Sequence, residues 1–176
     1  IPNDSPSFIG MVGMHGSYAA NVAMNEADLV IAAGVRFDDR ATGLVSKFCP
    51  NAKIIHIDVD AAEVDKILDS TVSVVADVES VFPVMAQLVS EKKIKADAAW
   101  LKKIVKLKVE NYSVECGRPK NEKLTNPREL ISRLGEYAAY SGLSQNDLII
   151  TTDVGQHQMW AAQYYPVDRP RSFLTS

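Results

Sequence analysis

Four residues at the ends of apolar runs have side chains suited to holding a nucleotide. Gly34 and Arg36 follow the run Leu29–Ala33, Asp58 closes the run Ile54–Val59, and Asp77 follows Val72–Ala76. A glycine at a strand end lets a ligand come close to the backbone, and an arginine can meet a phosphate or stack on an aromatic ring. An acidic residue about 20 positions beyond a glycine turn is where dinucleotide folds hold a ribose hydroxyl. Asp58 stands at about that separation from Gly34. Spacing leaves a second reading open, in which Asp58 and Asp77 only cap the helices that follow them.

Other candidates carry weaker signals. Gly10, Gly13 and Gly16 recur at every third position ahead of a helix-like stretch, 17–27, and glycines there can expose amides to an anion. The spacing is not GxGxxG. His15 sits between two of these glycines and reads more readily as a packing or surface residue than as a ligand contact. Arg36-Phe-Asp-Asp-Arg40 packs four charges around one aromatic; with no histidine or third acid nearby, it does not read as a metal or acid–base centre. Asp153-Val-Gly-Gln-His157 follows a fourth apolar run, Leu148–Thr152, and precedes a helical stretch, 158–165. Amide dipoles and a histidine at such a helix mouth suit an anionic group, though an ordinary cap would have the same composition.

The elements that must position these residues alternate. Near-continuous apolar runs fit strands of a parallel sheet covered on both faces, and helical start signals lie between them. Asp60-Ala-Ala-Glu63 has capping-box spacing. Asn126-Pro127-Arg128-Glu129 combines a cap with proline at the first helical position. For the helix that carries Pro83, a cap at Ser80 keeps the proline in the first turn and is preferred to Asp77. The stretch 96–112 reads as an amphipathic helix with Leu101, Val105, Val109 and Tyr112 on its apolar stripe. The polar stretch 116–123 is the best linker, so a domain boundary is expected near residue 118. The fold class is α/β with parallel strands.

Composition narrows the function. Hydrophobic residues make up 47% of 176, enough for a real core. Nineteen basic against 22 acidic side chains leave a net charge of −3, without the basic stripe expected of a nucleic-acid binder. The lysines between 92 and 108 read as a solvated helix face. Cys49 and Cys116 form no CxxC pair and fit free thiols of a reducing, cytoplasmic compartment. No apolar run approaches the roughly 20 residues of a membrane span.

As strings, these pieces resemble one family. Gly13-Met-His-Gly16, Ala20-Asn21, Ala27-Asp28, Gly34-Val-Arg-Phe-Asp-Asp-Arg40, His56-Ile-Asp58-Val-Asp60 and Thr152-Asp-Val-Gly-Gln-His-Gln-Met-Trp-Ala-Ala-Gln-Tyr-Tyr165 follow, in order and spacing, the pattern of acetolactate synthase catalytic subunits. The resemblance covers almost the whole chain and is least distinctive over 96–124. It implies an enzyme that condenses two pyruvates, or pyruvate with 2-ketobutyrate. Carbon dioxide is released, and 2-acetolactate or 2-aceto-2-hydroxybutyrate is made for valine, leucine and isoleucine biosynthesis.

The resemblance also implies a layout. Residues 1–118 would be the later part of a Rossmann-like central FAD-binding domain, and 119–176 the opening elements of a thiamine-diphosphate domain. Met14, His15, Gly16, Gly34, Val35, Arg36, Asp39, Arg40, Asp58, Val59, Asp77 and Val78 would contact FAD, with Asp39 and Arg40 also near the substrate channel. Val154, Gly155, Gln156 and His157 would contact thiamine diphosphate. The catalytic glutamate and the magnesium ligands would lie outside 1–176, as would the first strands of the central domain. No catalytic or metal-binding residue is therefore assigned, and this stretch alone is expected to be inactive. Expected partners are small 2-keto acids, further catalytic subunits in a homodimer or homotetramer, and a regulatory small subunit. Two other readings stay open: a non-catalytic nucleotide-binding module, and a related thiamine-diphosphate carboligase or oxidase with another acceptor.

Overall fold

A computed structural model describes residues 3, 5–115, 124–143 and 148–175. Its contacts divide the chain into two compact units, Asn21–Val105 and Ile1–Ala20 with Lys106–Ser176. The expected boundary near 118 and the linker 116–123 lie outside the described residues.

Unit Asn21–Val105 is built on three strands, β1 (Leu29–Ala33), β2 (Lys53–Asp58) and β3 (Val72–Val75), in the order β1-β2-β3. Both pairings are parallel, as the apolar runs predict. Parallel neighbours need crossovers of a dozen or more residues. The first holds a short helix α2 (Asp39–Thr42) and a 3₁₀ turn (Val45–Lys47), and the second contains turns only. Val30, Ala32 and Ile54 on the sheet join Phe37 and Cys49 in the core, with Met24, Phe48 and Leu68 packed against them. On β2, His56 and Ile57 are 0% exposed.

The sheet is not covered on both faces as expected. Leu29 and Ile31 on β1 are exposed, while Val30 and Ala32 between them are buried. Strand β1 stands at one end of the three-strand order, so its second face has fewer neighbours than that of central β2.

Two of the helix starts read from capping signals differ from that reading. Asp60–Glu63 forms a turn, not a helix: Asp60 accepts from the Ala62 amide at 2.9 Å, and its carbonyl accepts from Glu63 N–H at 3.1 Å. Asp65 then adopts φ +56°, where Ser70 donates to its carboxylate through both amide and hydroxyl. A left-handed residue there stops helical propagation. Those bonds hold the Asp65 carboxyl below its ordinary pKa.

Helix α3 (Val78–Glu91) starts at Asp77, not Ser80. Asp77 accepts from the Glu79 amide at 2.8 Å, and Ser80 Oγ returns a bond to the Asp77 carbonyl at 2.7 Å. Two side-chain bonds at the earlier start outweigh the cost of carrying Pro83 inside the helix.

Helix α4 (Ala98–Glu115) begins where Asp97 accepts from the amides of Ala99 and Trp100. The expected stripe is wrong here. Leu101, Val105 and Val109 are more than half exposed, whereas Ile104 and Leu107 are buried. The helix carries apolar residues on two sides, and the 104/107 pair is the one that packs. Its lysines are mostly solvated: Lys103 pairs with Glu26, and Lys106 with Glu110 at 3.5 Å.

In the other unit, α5 (Pro127–Tyr140) starts as expected, with Asn126 accepting from the Arg128 amide at 3.0 Å and Pro127 in the first turn. Strand β4 (Ile150–Thr151) is shorter than the apolar run around it and pairs in parallel with β5 (Phe173–Leu174). Helix α6 (Gln156–Tyr164) starts two residues earlier than expected. It packs on α5, and the Arg128 guanidinium lies 5.8 Å from the centre of the Tyr164 ring. No described helix is long and apolar enough to cross a membrane.

Two measurements check this core. Ile57→Ala should cost about 2–5 kcal/mol in urea unfolding, whereas exposed Val59→Ala should stay within about 0.5 kcal/mol. Burial pushes the Cys49 thiol up to about 11. Its raised pKa keeps the proton on in the folded state, so this group's contribution to stability is present below the unfolded thiol's pKa and is lost as pH rises toward 11. Iodoacetamide at pH 8 should therefore label Cys49 at least about tenfold more slowly in the native protein than in urea.

Candidate functional site

The parallel ladder lines up the strand ends. Ala33 pairs with Ile57 and Asp58 with Val75, so Gly34, Asp58 and Val75 fall in one row across the sheet. With strands about 4.8 Å apart, that row is about 10 Å wide, close to the span of a nucleoside. It is closed by Gly34 N–H donating to the Ile57 carbonyl at 2.8 Å and by Ala76 N–H donating to Asp58 at 3.0 Å.

Each residue in the row has a local reason for its place. Gly34 has φ +63°, and a Cβ there would meet nothing within 4 Å. Glycine is thus needed for the backbone turn and leaves open space above it. Val35 and Arg36 are exposed, and the Arg36 guanidinium makes no ion pair among the described residues. Phe37 turns inward and is buried.

Of the expected FAD contacts, this unit brings together Gly34, Val35, Arg36, Asp58, Val59, Asp77 and Val78 at the carboxyl ends of β1, β2 and β3. Asp58 is buried and accepts from the Asp60 amide at 2.9 Å, so it closes a turn and caps no helix. Asp77 does cap α3 through one carboxylate oxygen. Asp39 and Arg40 lie on α2, exposed and 3.9 Å apart, a separation at which an ion pair is worth about 0–1 kcal/mol. Asp38, not singled out from sequence, caps that helix by accepting from Ala41 N–H at 3.0 Å.

Met14, His15 and Gly16 lie in the other unit, in the turn before α1 (Tyr18–Glu26). Gly16 N–H donates to Gly13 at 2.9 Å, and Ser17 Oγ accepts from Ala20 N–H at 3.1 Å, capping the helix. Gln163 of α6 donates to the carbonyls of His15 at 3.0 Å and Gly16 at 3.2 Å. Val154, Gly155, Gln156 and His157 connect β4 to α6. Gly155 has φ +154°, and a Cβ on it would come within 2.8 Å of the His157 ring. Gln156 and His157 open the helix, and their amides have no acceptor among the described residues. Such amides at a nine-residue helix start are suited to an anion.

Sequence reasoning missed the supporting contacts of four residues, His56, Gln158, Thr152 and Thr175. His56 Nε2 donates to the Val35 carbonyl at 3.0 Å, and its ring meets Phe37 edge-on at 5.1 Å. Gln158 is buried and donates to Thr175 Oγ at 2.7 Å; Thr152 Oγ lies 3.0 Å from the same atom. These contacts tie the ends of β4 and β5 to the first turn of α6. The available signal was a polar residue inside an apolar segment: histidine within Ile54–Val59, glutamine within a helix.

Comparisons with known proteins add family to geometry. The family described as "Thiamine pyrophosphate enzyme, central domain" matches residues 1–88. The large subunit of acetolactate synthase isozyme 1 from Escherichia coli (strain K12) is 44% identical over 176 residues, 100% of this chain and 29% of that protein. The acetolactate synthase large subunit of Lactococcus lactis is 43% identical over 170 residues, 96% of this chain and 27% of the relative. A probable acetolactate synthase large subunit from Methanocaldococcus jannaschii is 41% identical over 175 residues, 99% of this chain and 29% of its own length. The chain thus spans under a third of the length of these relatives. With half of its residues matched by that central domain and its strand ends arranged as described, this chain belongs to the thiamine pyrophosphate enzymes.

Proposed function

We propose that the chain is part of an acetolactate synthase catalytic subunit, an enzyme that joins two 2-keto acids with loss of carbon dioxide. The observation that carries this reading is the alignment of essentially the whole chain with large subunits of that enzyme at 36–44% identity. Thiamine diphosphate, when bound, supplies the chemistry that breaks and forms carbon–carbon bonds next to a carbonyl.

The chain's own residues have binding roles in this reading. Amides of Gln156 and His157, at the positive end of α6, hold the diphosphate, while Gly155 keeps the turn free of a side chain. Gln158 and Thr175 fix that turn against the strand ends. In unit Asn21–Val105, a Rossmann-like sheet edge receives FAD. Gly34 admits the ligand to the backbone, Arg36 meets a phosphate or stacks, and Asp58 accepts from a ribose hydroxyl. Asp77 holds the α3 start beside them, flanked by Val59 and Val78. The open space over Gly34 and the exposed Arg36 side chain support this fit. The FAD role is structural, since the condensation has no net redox step.

The domain division proposed is FAD-binding up to about residue 118 and thiamine-diphosphate-binding after it. Magnesium is assigned to no residue of this chain. The relatives are large subunits, so a regulatory small subunit and self-association of the catalytic subunit belong to the same proposal.

The test uses the full-length protein supplied with pyruvate, thiamine diphosphate, magnesium and FAD. Acetolactate should form; pyruvate decarboxylation or oxidation without it would sink the reading. Gly155→Val should raise the KM for thiamine diphosphate about tenfold or more, because a side chain is strained at that φ and meets the His157 ring. Arg36→Ala should weaken FAD binding about tenfold, the size of a lost charge-assisted bond, and leave the thiamine-diphosphate KM within about twofold.

A further inference from the structure

His56 has no role in the binding set above, yet it is one of the most enclosed side chains in the molecule. It is 0% exposed on central strand β2, opposite Ala32 of β1 and on the same sheet face as Val30 and Ile54. Phe37 closes over it edge-on at 5.1 Å. A leucine would fill this apolar position without exposing any polar atom to the core. The imidazole carries a penalty there, because its Nδ1 is buried with no hydrogen-bond partner among the described residues. Its other nitrogen, Nε2, lies 3.0 Å from the Val35 carbonyl. A carbonyl can only accept, so Nε2 carries the proton and Nδ1 the unmatched lone pair.

The acceptor explains the residue. Val35 lies between Gly34, with φ +63°, and Arg36, in the segment where β1 has left the sheet. The segment is fastened on either side, by Gly34 N–H to Ile57 and by Asp38 N–H to the Arg36 carbonyl at 2.9 Å. Between those points the Val35 carbonyl is met, among the described residues, only by the His56 ring. Its orientation fixes the peptide from which Arg36 leaves the sheet edge.

We infer that His56 is a positioning residue for the nucleotide site: its Nε2–H pins the Val35 carbonyl from beneath and thereby aims the Arg36 backbone and side chain at the ligand. This inference rests on the FAD reading of the strand-end row. His56 touches no ligand and acts through the loop alone.

The experiment uses the full-length protein and four forms: wild type, Arg36→Ala, His56→Leu and His56→Gln. FAD affinity and the bound flavin's absorption spectrum are measured, with the KM for thiamine diphosphate as control. Glutamine places an amide N–H where the imidazole Nε2–H stood, whereas leucine keeps the apolar bulk and loses the donor. His56→Leu should weaken FAD binding about five- to tenfold and shift the flavin bands, the size of a lost hydrogen bond. His56→Gln should bind FAD within about twofold of wild type, and neither change should move the thiamine-diphosphate KM. Equal weakening in both variants would reduce His56 to packing and overturn the inference, as would wild-type affinity in His56→Leu.

A wild type that binds no FAD overturns both the reading and the inference. Wild-type affinity in Arg36→Ala overturns the assignment of Arg36 and with it this role for His56. Weakening in Arg36→Ala alone overturns the inference and leaves the reading standing. Nitrogen NMR of wild-type His56 needs no variant and serves if His56→Leu fails to fold. A proton on Nε2 is expected with and without FAD, and the Nδ1–H tautomer would overturn the inference.

Discussion

Both neighbours of β2 run parallel to it, and that shared direction governs everything the unit Asn21–Val105 can do. In an antiparallel sheet the ends of adjacent strands alternate between two edges. Here all three carboxyl ends meet at one edge, and the register sets Gly34 beside Asp58 and Asp58 beside Val75. The row therefore follows from backbone hydrogen bonding, and its chemistry comes from the few residues that replace apolar ones where the strands stop. The core serves that ladder: Ile57 and His56 anchor the central strand, and Phe37 folds the loop after β1 back onto it.

Much of this was legible in the sequence because parallel strands leave a coarse signature. Leu29–Ala33 was bounded correctly, and the next two runs were placed to within a residue or so. Asn126-Pro127 marked its helix because cap and proline act locally. The failures share a cause: two local solutions lay close in energy and tertiary contacts chose between them. Asp60 can cap a helix or a turn, and the bonds from Ser70 to a left-handed Asp65 chose the turn. Helix α4 has two apolar sides, and nothing local says which one packs. His56 was invisible as a supporting residue because its partner, the Val35 carbonyl, is backbone and has no sequence signature at all.

The two candidate cofactor sites use different physics. At the strand-end row, specificity resides in side chains, a cation and carboxylates around an open glycine. At the start of α6, the binding groups are amides that any residue type would supply, so what sequence controls is their access and stiffness. Gly155 gives access. Stiffness comes from the half-buried contact between Gln158 and Thr175, which couples the helix start to the end of β5.

Pro83 has a further consequence. It sits inside α3 and has no amide hydrogen, so the rung that would join it to the Glu79 carbonyl is missing from the helix ladder. The first turn, held by Asp77 and Ser80, is thereby mechanically separate from the longer body, which continues to Glu91. Fraying of residues 78–82 does not have to propagate along the helix, and the body can stay closed while the end beside the strand row opens and reseals. Helix α3 thus begins with a turn that is tied to its body by one backbone hydrogen bond fewer than a regular helix supplies.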